Sequence, residues 1–217
     1  MDLKGKTVLV VGASGVIGAK LCEKLHAAGA SLIATSRNPA SEGMLELDLA
    51  DEASIEALVT RLANVELDGV IIAAGAVAFG TLDAVPIEIT NRLMVINATG
   101  PISLITKLLA NLHGREGFIL TISGKIAEIP TTGLAAYSAA KGALYAFAVA
   151  ASRELRRQGV RWLDARPGHT ETGFADRAIF GQAPNFATGL TADAVSERIL
   201  QGILQDEKDL PSSNFES

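Results

Sequence analysis

VLVVGASGVIGAKL, residues Val8 to Leu21, runs from a short β-branched stretch into an apolar helical one through Gly12, Gly15 and Gly18. A glycine closing a strand lets the chain turn at once. Small residues where a helix opens let a ligand approach its unpaired N–H groups. Those groups and the helix dipole favour a phosphate at that point. Ser14 adds a hydroxyl to the loop, and Val16 and Ile17 open the helix. A plain strand-to-helix turn would also tolerate glycine. The placement, after a β-branched strand and before an apolar helix, favours a dinucleotide site.

Outward from this loop, strand and helix patterns alternate. TVLVVG (Thr7 to Gly12) leads to a helix ending near Ala28, and SLIATS (Ser31 to Ser36) and MLELDL (Met44 to Leu49) read as the next strands. Asp51 or Ser54 caps a helix reaching about Ala63. GVIIAAG (Gly69 to Gly75) is a fourth strand, and a long helical segment runs from about Pro86 through Leu112, with Gly100-Pro101 expected to bend or break it. GFILTIS (Gly117 to Ser123) is a fifth strand, the Tyr137 segment a long helix, and VRWLDARPG (Val160 to Gly168) a sixth strand. A last helix spans about Ala192 to Gln205, and DEKDLPSSNFES reads as a short edge strand or a loose end.

Continuous apolar strands between helices imply a parallel sheet covered on both faces. Right-handed crossovers make it an α/β, doubly wound, Rossmann-type sheet of three layers. At 217 residues the chain suits a single domain. Ligands of such sheets sit at the carboxyl ends of the strands.

Composition narrows the partners. Apolar residues are 48% and charged residues 20% of the chain, and the net charge is -5, with Arg153, Arg156 and Arg157 the only basic cluster. Nucleic acid is not expected, because phosphate binding needs a concentrated positive surface. No apolar run approaches the ~20 residues that cross a bilayer, so no membrane is expected. One cysteine, Cys22, fits a reducing compartment and reads as core filler. MDLKGKT carries no signal-peptide pattern. The expected location is cytoplasmic.

The second strand ends Ala34-Thr35-Ser36-Arg37-Asn38, with no acid at its tip. An acid there would bond the adenosine ribose diol of NAD. Arg37, with Ser36 beside it, suits a 2′-phosphate as a charge-assisted partner. NADP(H) is therefore favoured over NAD(H), against the bland reading of a solvated arginine.

TTGLAAYSAAKGALYAF, Thr131 to Phe147, sets Tyr137 and Lys141 four residues apart on one helix face. A phenol near its ordinary pKa of ~10 exchanges protons poorly at neutral pH. A nearby ammonium is expected to lower it toward the useful range. Taken alone, the pair is equally readable as chance.

The combination resembles the short-chain dehydrogenases/reductases over almost the whole chain. The resemblance rests on the glycine loop, Asp48 after the third strand, Ala73 to Gly75, Asn97 in the long helix, Ser123 ending the fifth strand, YSAAK from Tyr137 to Lys141, and PGHTET from Pro167 to Thr172. It implies hydride transfer between nicotinamide and a small carbonyl or alcohol. It makes Tyr137 the general acid or base, and gives Lys141 to the nicotinamide ribose. It gives Ser123 to the substrate oxygen and Asn97 to a water on a proton relay. Asp48 and Leu49 would contact adenine, Ala74 and Gly75 the adenosine side. Pro167, Gly168, Thr170 and Thr172 would line the nicotinamide end, with Thr172 on the carboxamide. A homodimer or homotetramer is also implied.

Three features depart from the family. The glycines fall as GxxGxxG, and Ala73 stands where asparagine is common. The family serine lies thirteen residues before its tyrosine; that position is Gly124, and Ser123 lies one earlier. One residue can reverse side-chain direction at a strand end. Thr121 and Thr132 are alternatives, and a cofactor-binding sensor or scaffold without turnover is the alternative function. His26 and His113 read as surface or partly buried residues, and His169 as a substrate contact or an idle loop residue. No metal-ligand spacing occurs. Residues 173–190 suit a substrate loop, with Phe174, Ile179, Phe180 and Phe186 as apolar wall or ordinary core.

Overall fold

The computed structural model describes residues 1–39, 43–112 and 117–215, so His113 lies outside the described residues. Six parallel strands, β1 (Thr7–Val11), β2 (Ser31–Ser36), β3 (Leu45–Glu46), β4 (Gly69–Ile72), β5 (Phe118–Ile122) and β6 (Arg161–Ala165), form one sheet in the order β3-β2-β1-β4-β5-β6. The chain moves outward from β1 to β3, then returns to the other side of β1 as β4. That reversal opens a crevice between the carboxyl ends of β1 and β4.

Side-chain alternation assigns the strands' two faces. Leu9, Val11, Val70, Ile72 and Ile119 face a core shared with Ile55, Leu58, Leu104, Leu108, Ala148 and Leu155. These come from α2 (Glu52–Arg61), α4 (Gly100–Leu112) and α5 (Ala135–Leu155). Val8, Val10, Ile71, Leu120 and Leu163 face Leu21, Leu25, Val195, Ile199 and Ile203 of α1 (Val16–Ala27) and α6 (Ala192–Leu204). Three layers result. Cys22 is half-buried and packs on this second core.

Three local expectations are refined. The third strand keeps only Leu45–Glu46 of the expected six residues. Beyond it, the Asp48 carboxylate accepts from Ala50 N at 2.9 Å, and Ser54 Oγ accepts from Asp48 N at 2.9 Å, which turns the chain toward α2. Asp51, not Ser54, caps that helix, accepting from Ala53 N at 3.0 Å. Gly100-Pro101 does not break the long helix. The helix α3 (Ile87–Met94) continues through a single wide turn, Val95–Thr99, into α4. Gly100 N donates to Val95 O, five residues back. Pro101 has no N–H for the next carbonyl, so the ladder loosens just before it instead of ending.

The helix Ile87–Leu112 is long and apolar enough to cross a membrane by length and composition alone. Half of its most apolar window is buried inside the fold. The tail does add an edge: Leu210 N donates to Asp164 O at 3.1 Å, and Arg166 N to Leu210 O at 3.0 Å.

Candidate active site

The glycine loop is shaped for close approach. Gly12 has φ +83°, and a Cβ there would lie 2.7 Å from Ala74 N; a Cβ on Gly18 would lie 2.2 Å from Gly12 O. Gly15 precedes α1 with no side-chain cap, which leaves the helix's first N–H groups open to a ligand. Ser14 Oγ and Ser36 Oγ are 2.8 Å apart, joining this loop to the end of β2. Arg37 follows, exposed and without an ion pair among the described residues. Asp48 is half-buried and Leu49 buried; the Leu49 carbonyl would sit 2.1 Å from a Cβ on Gly100. Only glycine on the long helix lets that carbonyl come so close. Loop, basic strand tip and open helix end fit a dinucleotide phosphate.

From this loop a cleft of ≈ 370 Å³ follows the carboxyl ends of β1, β4, β5 and β6. It gathers Gly15, Val16 and Ile17, then Ala74 and Gly75, then Tyr137 and Lys141 from α5. Pro167, Gly168, Thr170 and Thr172 close the far side. Gly12, Ser14, Gly18, Ser36, Arg37, Asp48 and Leu49 stand outside its lining, and Asn97 lies behind it. Val77, Phe79, Lys125, Ile126, Ile129 and Leu134 add to the walls, and sequence reading missed all six. Their signal was position: they follow the ends of β4 and β5 or precede α5.

Asn97 is held by its side chain behind the cleft. Its Oδ1 accepts from Ala76 N at 3.0 Å, and its Nδ2 donates to Ala76 O at 2.9 Å and Leu93 O at 3.0 Å. Both amide hydrogens are used. The side chain, 1% exposed, clamps the segment after β4 against the wide helical turn.

Ser123 lines the cleft but turns its hydroxyl inward. Its hydroxyl donates to the Asp164 carboxylate, and the residue is fully buried at the floor of the cleft. Thr121 donates to the same carboxylate at 2.6 Å, so it is no substitute, and Thr132 is exposed and outside the lining. The following residue, Gly124, has φ +78°, a backbone state that side chains disfavour. The one-residue offset has therefore turned the serine inward.

Asp164 is the centre of a buried network. Arg166 contacts it at 3.2 Å, bonds Asp209 at 2.6 and 2.8 Å, pairs with Glu128, and lies 4.4 Å over the Tyr145 ring. Burial pushes the Asp164 carboxyl up, while Ser123, Thr121 and Arg166 pull it down.

Tyr137 and Lys141 share the cleft, with the ammonium 6.0 Å from the ring centroid. The Lys141 ammonium donates to Ile122 O at 2.7 Å. Burial pulls its pKa down to about 8, against the opposing pull of Asp164. The expected lowering of Tyr137 is absent: burial raises the phenol above its ordinary range. Desolvation outweighs a lysine at that distance whose own charge is already disfavoured.

Of the loop's large apolar residues, Phe174 and Phe186 line the cleft, whereas Ile179 and Phe180 pack with Leu93 and Ile96 in a separate cluster. Phe174 lies 6.5 Å from Tyr137, and His169 stacks on Phe186 at 4.5 Å. His26 is exposed. No cluster of metal ligands occurs among the described residues.

Fold and cleft together define a nucleotide-binding α/β protein of the doubly wound class. Residues 6–179 match the family model of the short chain dehydrogenases, and the chain belongs to that family. A Drosophila melanogaster protein, dehydrogenase/reductase SDR family protein 7-like, is 30% identical over 247 residues, covering 100% of this chain and 75% of its own. The 2,3-dihydro-2,3-dihydroxybenzoate dehydrogenase of Escherichia coli is 31% identical over 179 residues, covering 79% and 72%. A short chain dehydrogenase from Burkholderia cenocepacia, solved with NADP, superposes with a TM-score of 0.86 at 20% identity, covering 98% of this chain and 90% of that one. At that identity the likeness speaks for the fold.

Proposed function

We propose that this oxidoreductase uses NADP(H) and acts on a small carbonyl or alcohol, with Tyr137 as general acid or base. The observation that carries the reading is the meeting of Tyr137 and Lys141 in the cleft that begins at the open N-terminus of α1. When bound, the nicotinamide supplies or takes up the hydride. The glycine loop receives the pyrophosphate, and Arg37 and Ser36 receive a 2′-phosphate. A raised phenol pKa keeps Tyr137 protonated at neutral pH. In the reductive direction it therefore delivers its proton to the carbonyl oxygen. Lys141 has three donors and spends one on Ile122 O; the remaining two would serve the ribose hydroxyls of a bound cofactor and the forming phenolate.

Loss of reduced-nicotinamide absorbance with a panel of carbonyls tests this reading. Tyr137→Phe should stop turnover and leave NADPH affinity nearly intact; a variant that keeps its rate sinks the mechanism. One observation favours a second reading, a cofactor-binding sensor or scaffold: the Ser123 hydroxyl is spent on Asp164. Tight NADPH binding with no carbonyl reduced would decide for it. We further infer a cytoplasmic homodimer or homotetramer, for which the exposed Ala139, Ala146, Val149 and Ala150 of α5 offer a flat apolar face. Light scattering of the purified chain checks it.

A further inference from the structure

Few large apolar side chains are left exposed. Among the described residues they are Val16, Leu82, Ile87, Ile129, Val149 and Phe186, and three of these six line the cleft. Val16 opens α1, at the loop shaped for the cofactor phosphates. Ile129 and Phe186 come from other parts of the chain. A cleft that keeps such groups in water is shaped for an apolar ligand to cover them.

Aromatic rings are concentrated there as well. The chain is only 5% aromatic, yet three of its seven phenylalanines, Phe79, Phe174 and Phe186, line this cleft. Phe174 lies beside Tyr137. Phe79 and Phe186 make a second pair, with centroids 6.1 Å apart and planes inclined at 52°. Rings already in contact leave no slot between them. They offer a corner instead, where a flat ring can meet one edge-to-face and the other offset.

Phe186 is held in place although it is exposed, because its loop is fixed on both sides. Before it, Phe79 N donates to Phe180 O at 2.9 Å and Ile179 N donates to Val77 O at 2.8 Å. A Cβ on Gly181 would stand 1.9 Å from Phe79 O, so only glycine permits that approach. After it, Thr170–Glu171 pairs with Leu190–Thr191, and the Glu171 carboxylate accepts from Gly189 N at 2.8 Å. Between these anchors the His169 ring stacks on Phe186, centroids 4.5 Å apart and planes 26° from parallel. Its Nε2 meets the same Glu171 oxygen at 3.4 Å.

We propose that Phe79 and Phe186 form a subsite for a flat aromatic ring carried by the carbonyl substrate, and that His169 is the positioning residue that holds Phe186 there. The inference rests on the oxidoreductase reading and gives that reading its substrate class. An aliphatic body of similar size would fill the same space but lose the ring-to-ring contacts.

The test compares 4-phenyl-2-butanone with 4-cyclohexyl-2-butanone, whose rings differ in flatness and stand too far from the carbonyl to alter its reactivity. Both are titrated by calorimetry into the protein saturated with oxidised NADP, which cannot reduce them, and their reduction by NADPH is followed separately. Should the cofactor not bind, the pair is titrated into the protein alone. The phenyl ketone should bind about fivefold more tightly. Phe79→Leu and Phe186→Leu should each narrow that margin, and the double variant should close it. Both ketones meet the same preparation, so their ratio does not depend on the fraction folded. His169→Ala should narrow the margin as Phe186→Leu does. His169→Phe, which can stack, should restore it, and His169→Gln, which has no ring, should not. Equal binding of the two ketones, no binding of either, or a margin that survives in the double variant overturns the ring subsite. A margin kept in His169→Gln but lost in His169→Phe overturns the positioning role. A margin that behaves as described while neither ketone is reduced keeps the subsite and removes the catalyst reading.

Discussion

Ser123 donates its hydroxyl to the Asp164 carboxylate beneath the cleft, fourteen residues before Tyr137 in sequence and turned away from it. Ser123→Ala should therefore act as a stability variant. It removes one donor from a buried carboxylate, at a cost of about 1–3 kcal/mol. Turnover should change by less than about tenfold, well short of the ~10²–10⁴-fold typical of a lost proton-transfer group. Chemical denaturation and kcat on one carbonyl, compared with Tyr137→Phe, check this. A collapse of kcat at unchanged stability would return the serine to the substrate.

Lys141 gives a pH dependence with two opposite readouts. Its folded pKa is about 8, below the ordinary lysine value of 10.5. Between those values the unfolded chain holds more protons than the folded one, so stability rises with pH across that window. Below about 8 both states are protonated and the cost is constant, on the order of 3 kcal/mol. Wild type should gain on Lys141→Met as pH climbs from 8 toward 10.5. Over the same range kcat/KM should fall, because the ammonium needed at the ribose is lost. Paired melting and kinetic profiles test both limbs, and Lys141→Met should show neither.

The alternation of apolar strands and helices made the sheet legible, because strands buried on both faces must be continuous and aliphatic, as Val8 to Val11 and Gly69 to Ile72 are. The glycine loop was legible for a similar reason: Gly12 and Gly18 permit contacts that a Cβ forbids. Direction was not legible. Nothing local announces that Ser123 faces Asp164, since that partner lies forty-one residues away on β6. Nor does spacing reveal the depth at which Tyr137 sits, and depth decided the sign of its pKa shift.

Arg37 should decide between the two cofactors. It stands exposed just past β2, next to Ser36, whose hydroxyl touches Ser14 in the phosphate loop. Arg37→Ala removes a charge-assisted partner worth about 1.5–3 kcal/mol. NADPH should bind about 10–100-fold more weakly, with NADH changed by less than about threefold. Titration of both cofactors reads the ratio. Equal losses for the two would place the arginine away from the 2′-phosphate.

Arg166 ties the tail to the loop below the cleft, and the two ends of that tie should differ in worth. The guanidinium is 1% exposed and meets Asp164, Glu128 and Asp209 while stacking on Tyr145. Arg166→Met would strand Asp164 as a buried charge, at about 3–5 kcal/mol. Asp209 is half exposed, so Asp209→Asn leaves water to replace the lost pair and should cost about 1 kcal/mol. Glu128 closes the turn that begins at Lys125, and it also accepts from Ser212 of the tail. Freeing it in Arg166→Met should loosen that turn, seen as faster amide exchange at Ala127 to Ile129. The larger loss must fall on the arginine; a costlier Asp209→Asn would mean that the tail, not the buried carboxylate, is what this cation holds.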